Sequence, residues 1–307
     1  MQIGSPAHKE LLCRTFFEGH RKYEPENLPW PDLDASALAL LRGIPFWTHA
    51  LQAEEDAGPM ISAVAEREAD PLLREALELQ AYEEARHARI IGHMIRRYGL
   101  DADEVHADVP NDAVAAFIDF GFEECLDSFG AFGLFKLARE HMLVPDPLFD
   151  IFDQVMQEEA CHIFFFINWF AHRQANLGPV ARLARPGKAL WHYARAVRKL
   201  VGLVRDDDAP EGKDFVVTGA SAFVDNLTPR LVMTASLVEN ERRLAHFDRR
   251  LIVPTLLPRL AALALGVLKL IPERRAVASP PPRAEAPAPA SPRMSIPSRP
   301  EETSRVA

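Results

Sequence analysis

The chain has 307 residues, 48% of them apolar, a net charge of −9 and three scattered cysteines, Cys13, Cys125 and Cys161. That length suits one large domain, or a domain with a sizeable appendage. An odd cysteine set without CxxC spacing argues against a disulfide or zinc framework and for a reducing, cytoplasmic setting. There is no glycine-rich phosphate loop, no G-x-S-x-G and no basic stripe interleaved with stacking aromatics, which argues against nucleotide, serine-hydrolase and nucleic-acid chemistry.

The opening MQIGSPAHKE lacks the charged-then-apolar layout of a secretory signal. With Trp30-Pro31 and several charges, residues 1–33 read as an irregular arm. Residues 34–42 predict a short helix ended by Gly43 and Pro45. The first long helix is expected from about 45 to 68. On it, Glu54 shares a stripe with Trp47, Ala50, Leu51, Ala57, Gly58 and Ile61, whereas Glu55 sits with Thr48, Gln52, Pro59 and Ser62. Glu54 is therefore the inward carboxylate. Gly58-Pro59 should kink this helix or distort its hydrogen-bond ladder, either widening a gap or being merely tolerated.

Asp70-Pro71 reads as an N-cap followed by a first-turn proline, opening a second helix over 71–98. Arg96-Arg97-Tyr98-Gly99 closes it with basic residues and a C′ glycine. Inside lies Glu83-Glu84-Ala85-Arg86-His87, where Glu84 and His87 share a face with Leu77, Gln80, Ala81, Ala88 and Ile91. After a polar link, a third helix is expected over 112–142. Its Glu124 keeps company with Phe117, Phe120 and Gly121 and is the favoured inward residue, with Glu123 the alternative. Asp127 reads either as an acceptor holding an imidazole from behind or as an exposed acid. Gly121, Gly130 and Gly133 among phenylalanines suggest close helix approach or open space. Asp146-Pro147 looks like the same helix start again, opening a fourth helix over 147–176. This one carries Glu158-Glu159-Ala160-Cys161-His162, with Glu159 and His162 on a face with Phe152, Val155, Met156, Ile163 and Phe166.

Glu54 precedes Glu84 by 30 residues and Glu124 precedes Glu159 by 35, intervals suited to two antiparallel hairpins with turn signals at their midpoints. A carboxylate and an imidazole are aimed into apolar surroundings twice, and buried ionised groups must be neutralised, paired or metal-bound. One Glu from each of two helices plus Glu-x-x-His from each of the other two resembles the ferritin-like di-iron carboxylate superfamily, which includes bacterioferritins, rubrerythrins and several oxygenases. The resemblance covers roughly residues 45–178.

It implies an all-α, ferritin-like antiparallel four-helix bundle with Glu54, Glu84, His87, Glu124, Glu159 and His162 as metal ligands and Asp127 behind them. It further implies two iron ions, with manganese the alternative, since four carboxylates balance two Fe²⁺ and suit hard redox ions. The expected activity is O₂ activation to oxidise a bound, largely apolar organic molecule. A ferroxidase or peroxidase handling iron or peroxide is the other reading. Expected partners are the organic substrate, O₂ and an electron donor, and a homodimer is compatible with the pattern.

Beyond Gly178-Pro179 the character changes. Residues 1–180 hold 14 Lys+Arg and 31 Asp+Glu, residues 181–307 hold 21 and 13. A basic amphipathic helix is expected over 187–205, an acidic turn at Asp206–Asp208, then helices from Thr228-Pro229 to about 251 and over 255–270. This accessory segment, 179–272, is read as packed on the bundle, or as meeting a membrane surface or an acidic carrier. Residues 273–307, rich in Pro, Ala, Ser and Arg, are expected to be disordered.

Overall fold

The structure is a computed structural model that describes residues 1–44, 47–205 and 227–270. The expected helix boundary at Pro45, the acidic turn at Asp206–Asp208 and the tail 273–307 lie outside the described residues. Within them every regular element is helical. In chain order these are α1 (Pro6–Gly19), α2 (Ala35–Arg42), α3 (Trp47–Arg67), α4 (Pro71–Tyr98), α5 (Ala113–Glu140), α6 (Asp146–Asn176), α7 (Pro179–Arg205), α8 (Pro229–Leu244) and α9 (Leu256–Leu268).

The centre is a ring of four helices. Hairpin α3–α4 packs on hairpin α5–α6, with α3 touching α5 and α4 touching α6. The turns follow their chemistry. Asp70 Oδ1 accepts from the backbone N–H of Leu72 at 3.0 Å and of Leu73 at 3.2 Å, starting α4. Gly99, at φ 60°, closes α4 in the left-handed conformation a C′ glycine permits. The second hairpin does not repeat the first. Asp146 is already helical, the cap position is Pro145, and no side chain caps α6; Asp146 instead faces Arg139 at 4.0 Å.

The arm is more ordered than its composition suggests. Ser5 caps α1 through His8 N at 3.2 Å, and Leu11, Leu12, Cys13 and Phe16 are buried against α4 and α6. At the other end, α7 runs unbroken through Pro186, and α8 stops at Leu244, short of the expected 251. The helix α7 lies on α5 and α6, α8 lies chiefly on α5, and α9 packs on α8. The buried Arg243 guanidinium ties α8 to α6 through Asp153 at 2.6 Å.

The glycines of α5 mark close approach more than open space. A Cβ on Gly121 would stand 2.3 Å from the Phe166 ring, and one on Gly133 would stand 2.6 Å from the backbone of Ser236 in α8. Of the three glycines in α5, Gly130 alone faces nothing within 4 Å. Gly58 is likewise a contact point, its virtual Cβ 3.3 Å from the Ala81 carbonyl oxygen. The helix α3 continues across Pro59, so this dipeptide draws α3 against α4 and opens no gap there.

Gly121→Ala should therefore lower stability by about 1–3 kcal/mol through overpacking. Gly130→Ala should raise it by about 0.5–1 kcal/mol through helix propensity. Paired denaturant melts check both, and equal stabilities for the two variants would overturn the packing account.

Candidate metal centre

Helical spacing sends Glu84 and His87 inward from α4, and Glu159 and His162 inward from α6. The two helices bring a donor atom from each of these four buried residues to within 4.8 Å of the others. Both imidazoles turn Nδ1 to the centre. His87 Nδ1 lies 3.0 Å from Glu159 Oε1 and 3.7 Å from Glu84 Oε2. His162 Nδ1 lies 3.1 Å from Glu84 Oε1 and 3.5 Å from Glu159 Oε2. Each of these carboxylates thus offers one oxygen to each imidazole.

The remaining two candidates stand one at each end. Glu54 of α3 is 3.7 Å from His87 Nδ1, and Glu124 of α5 is 3.8 Å from His162 Nδ1. Four of the six expected ligands, Glu84, His87, Glu159 and His162, thus form one cluster, and Glu54 and Glu124 each stand within 4 Å of one of its imidazoles. Glu55 pairs with neither imidazole, and Glu123 turns outward to Lys199 at 2.5 Å. The centre reaches solvent at Glu54, whose side chain is 20% exposed against 2% for Glu84 and 7% for Glu124.

Asp127 does not have the role expected of an acceptor behind an imidazole. It lies exposed on α5, and both Nε2 atoms have other partners. His87 Nε2–H donates to Glu158 Oε2 and His162 Nε2–H donates to Glu83 Oε2, each at 2.9 Å. A carboxylate can only accept, so these bonds fix the proton on Nε2 and free the Nδ1 lone pair for an ion. The pairing is crossed, each clamp coming from the other hairpin.

Glu83 and Glu158 are in turn buried acids, and the sequence pattern does not single them out. Its available signal is that both pentapeptides begin with Glu-Glu. Arg86 supplies the countercharge, fully buried, with Nη2 donating to Glu158 Oε1 at 2.7 Å and lying 3.7 Å from Glu83 Oε1. The segment after α1 closes this layer. Tyr23 O–H donates to Glu158 Oε2 and His20 Nδ1–H to Glu83 Oε1, both at 2.6 Å, while the Arg86 guanidinium stacks 4.0 Å from the Tyr23 ring centroid. Nothing in residues 20–23 announces this, because the contacts depend on tertiary packing of a short arm.

Buried polar atoms normally have partners. Here His87 Nδ1, His162 Nδ1 and both Glu124 carboxylate oxygens are buried without a hydrogen bond, and all aim at the same point. Nitrogen and carboxylate donors so arranged suit a divalent transition ion. Protonation tells the same story. Burial would depress the imidazoles, but the surrounding carboxylates of Glu158, Glu159, Glu83 and Glu84 hold both well above their ordinary value. Burial would raise Glu84 and Glu159, yet the imidazoles bring both down. Desolvation, then the neighbouring carboxylates, pushes Glu124 well up, and Glu54 is raised by burial and Glu159. Protons thus do in this cluster what a cation would do.

Compared with known proteins, the chain matches no known family, no curated protein and no solved structure.

Metal uptake should displace those protons. Because the imidazoles and the two outer carboxylates have raised pKa values, they hold protons at low pH and compete with the ion. Affinity should therefore rise with pH through the neutral range, with roughly two protons released per divalent ion. Titrating Co²⁺ or Mn²⁺ in buffers of different ionisation enthalpy measures this, and a pH-independent affinity would overturn the assignment.

Replacing Tyr23 by Phe removes one of the two donors to Glu158 Oε2, leaving His87 Nε2–H as the other, while sparing every inward donor. That variant should keep the metal but bind it about 10-fold more weakly. Unchanged affinity would mean the arm has no hold on the centre.

Proposed function

We propose that this chain is a ferritin-like di-iron carboxylate oxidoreductase that activates O₂ to oxidise a bound organic substrate. The observation that carries this is the pair of half-sites around shared carboxylates. Glu54 with His87 and Glu124 with His162 each offer one terminal carboxylate and one imidazole, and Glu84 and Glu159 stand between them. Six donors carrying four negative charges match two divalent ions, and this donor arrangement resembles that of the di-iron bundle proteins. When bound, such a pair of ions supplies the electrons that reduce O₂. The residues of the chain hold the ions in register, keep the imidazoles as Nδ1 donors and exclude water with Phe117, Phe122, Phe132, Phe165 and Phe166, all buried.

The organic substrate would approach at Glu54, the carboxylate most open to solvent. Around the ring, α7 and α8 cover α5 and α1 covers α4 and α6, an outer surface unlike the bare bundle of a storage shell. An electron donor would come closest at a groove of about 610 Å³ lined by His20, Tyr23 and Tyr82, whose His20 and Tyr23 contact Glu83 and Glu158. A second reading, oxidation of Fe²⁺ or peroxide, is favoured by one observation. Phe166 occupies the space beside Gly121 that a substrate chamber next to α5 would need.

Anaerobic loading with Fe²⁺ followed by an O₂ pulse tests the proposal. Iron should saturate at about two ions per chain, Glu84→Ala and His162→Ala should each lose at least one, and O₂ should be consumed. Full metal in both variants, or no O₂ uptake by the loaded protein, would sink it. Sustained oxidation of excess Fe²⁺ without any organic compound would decide for the second reading.

A further inference from the structure

The helix α7 is 27 residues long and carries seven basic residues and not one Asp or Glu. That is set against a chain whose first 180 residues carry more than twice as many acids as bases. One face is anchored. Tyr193 and Ala196 are buried, the His192 ring stacks on Phe122 with centroids 5.0 Å apart, and Arg195 and Lys199 pair with Asp119 and Glu123 of α5. The opposite face is neither anchored nor polar. Val180, Leu183, Leu190, Trp191 and Val197 follow one helical stripe and are 80%, 85%, 53%, 58% and 43% exposed. Exposed Arg182 and Arg198 flank or interrupt it, while Lys188 turns toward α6 and donates to Gln174 at 3.3 Å.

We propose that α7 seats this protein on an anionic lipid surface. An occupant of this stripe must be apolar where it meets Leu183, Leu190 and Trp191 and negative where it meets the flanking cations, as an anionic bilayer interface is. A second copy of the chain fits poorly, because antiparallel α7 helices would set cations against cations. The helix lies on the surface and does not cross it: among the described residues no helix is long and apolar enough to span a membrane. Long basic side chains at the stripe's edge can keep their heads in water while their stems cover apolar surface. Trp191 has the amphipathic ring suited to the headgroup level, whereas Trp47 and Trp169 are buried and Trp30 is half-buried. This inference is independent of what the metal centre does.

The test uses the full chain with vesicles of phosphatidylcholine alone or with about one-third phosphatidylserine, read by flotation and tryptophan emission. Binding is expected to the serine-containing vesicles only, to weaken at high salt, and to shift the emission to the blue. The double variant L190E/W191E should bind roughly tenfold more weakly or worse. Trp191→Phe should still bind but lose most of the shift. The surface exposure of these positions means that both variants should melt like the native chain. No binding to anionic vesicles at low salt, or undiminished binding by L190E/W191E, would overturn the proposal. So would lipid-free self-association abolished by the same pair, which would assign the stripe to a second copy. Equal affinity for poly-glutamate would assign it to an acidic protein surface and equally overturn the lipid reading.

Discussion

Putting charge inside a dry helical bundle is the constraint on which this structure depends. Two imidazoles, five buried carboxylates (Glu83, Glu84, Glu124, Glu158 and Glu159) and the Arg86 guanidinium share its core, with Glu54 at the rim. An unpaired buried ion costs several kcal/mol, so none of these groups can be placed independently. Glu83 and Glu158 stabilise the imidazoles, Arg86 stabilises Glu83 and Glu158, and Tyr23 and His20 satisfy the oxygens that remain. The inward atoms of His87, His162 and Glu124 are left without a hydrogen-bond partner, as is Arg86 Nε. A layered network of this kind favours docking of the arm after α1, because Tyr23 and His20 add a further donor to each outer carboxylate beyond the imidazoles and Arg86.

The aromatic side of the bundle answers the same constraint from the other direction. Phe122, Phe166, Trp169 and Phe170 interlock by edge-to-face and stacked contacts, and Phe166 fills the notch that Gly121 leaves. Dense packing of this kind keeps water from the carboxylates and raises the strength of every interaction among them. The same rigidity fixes the helix registers, and with them the separation of Glu54 from Glu124.

Much of this was legible in the residues and some of it was not. Helical stripes separated Glu54, which reaches His87, from Glu55, because the inward face of a helix follows a period the sequence displays directly. The turn at Asp70-Pro71 and the stop at Gly99 were equally readable, since capping chemistry is local. Of the two readings open for Asp127 the exposed acid holds, because the clamps that matter cross between hairpins, joining residues more than 70 apart. The same applies to α1. Its residues pack only once α4 and α6 exist, and PAHKELLCRTFFEG has a weak amphipathic pattern by itself. The role of the α5 glycines was ambiguous for a related reason: a missing side chain does not say whether a neighbour or a void takes its place.

The crossed clamps have a consequence for how the centre comes into being. Glu83 holds His162 and Glu158 holds His87, so neither hairpin alone can present a finished donor. A lone α3–α4 arm would carry an unoriented imidazole, and so would a lone α5–α6 arm. An ion held by this cluster would therefore gain its full donor set only once the two halves have docked, and would act as a latch on a completed assembly instead of a template for it. A cell's most avid metals would find little to seize on the nascent chain, leaving selection to the geometry of the closed bundle.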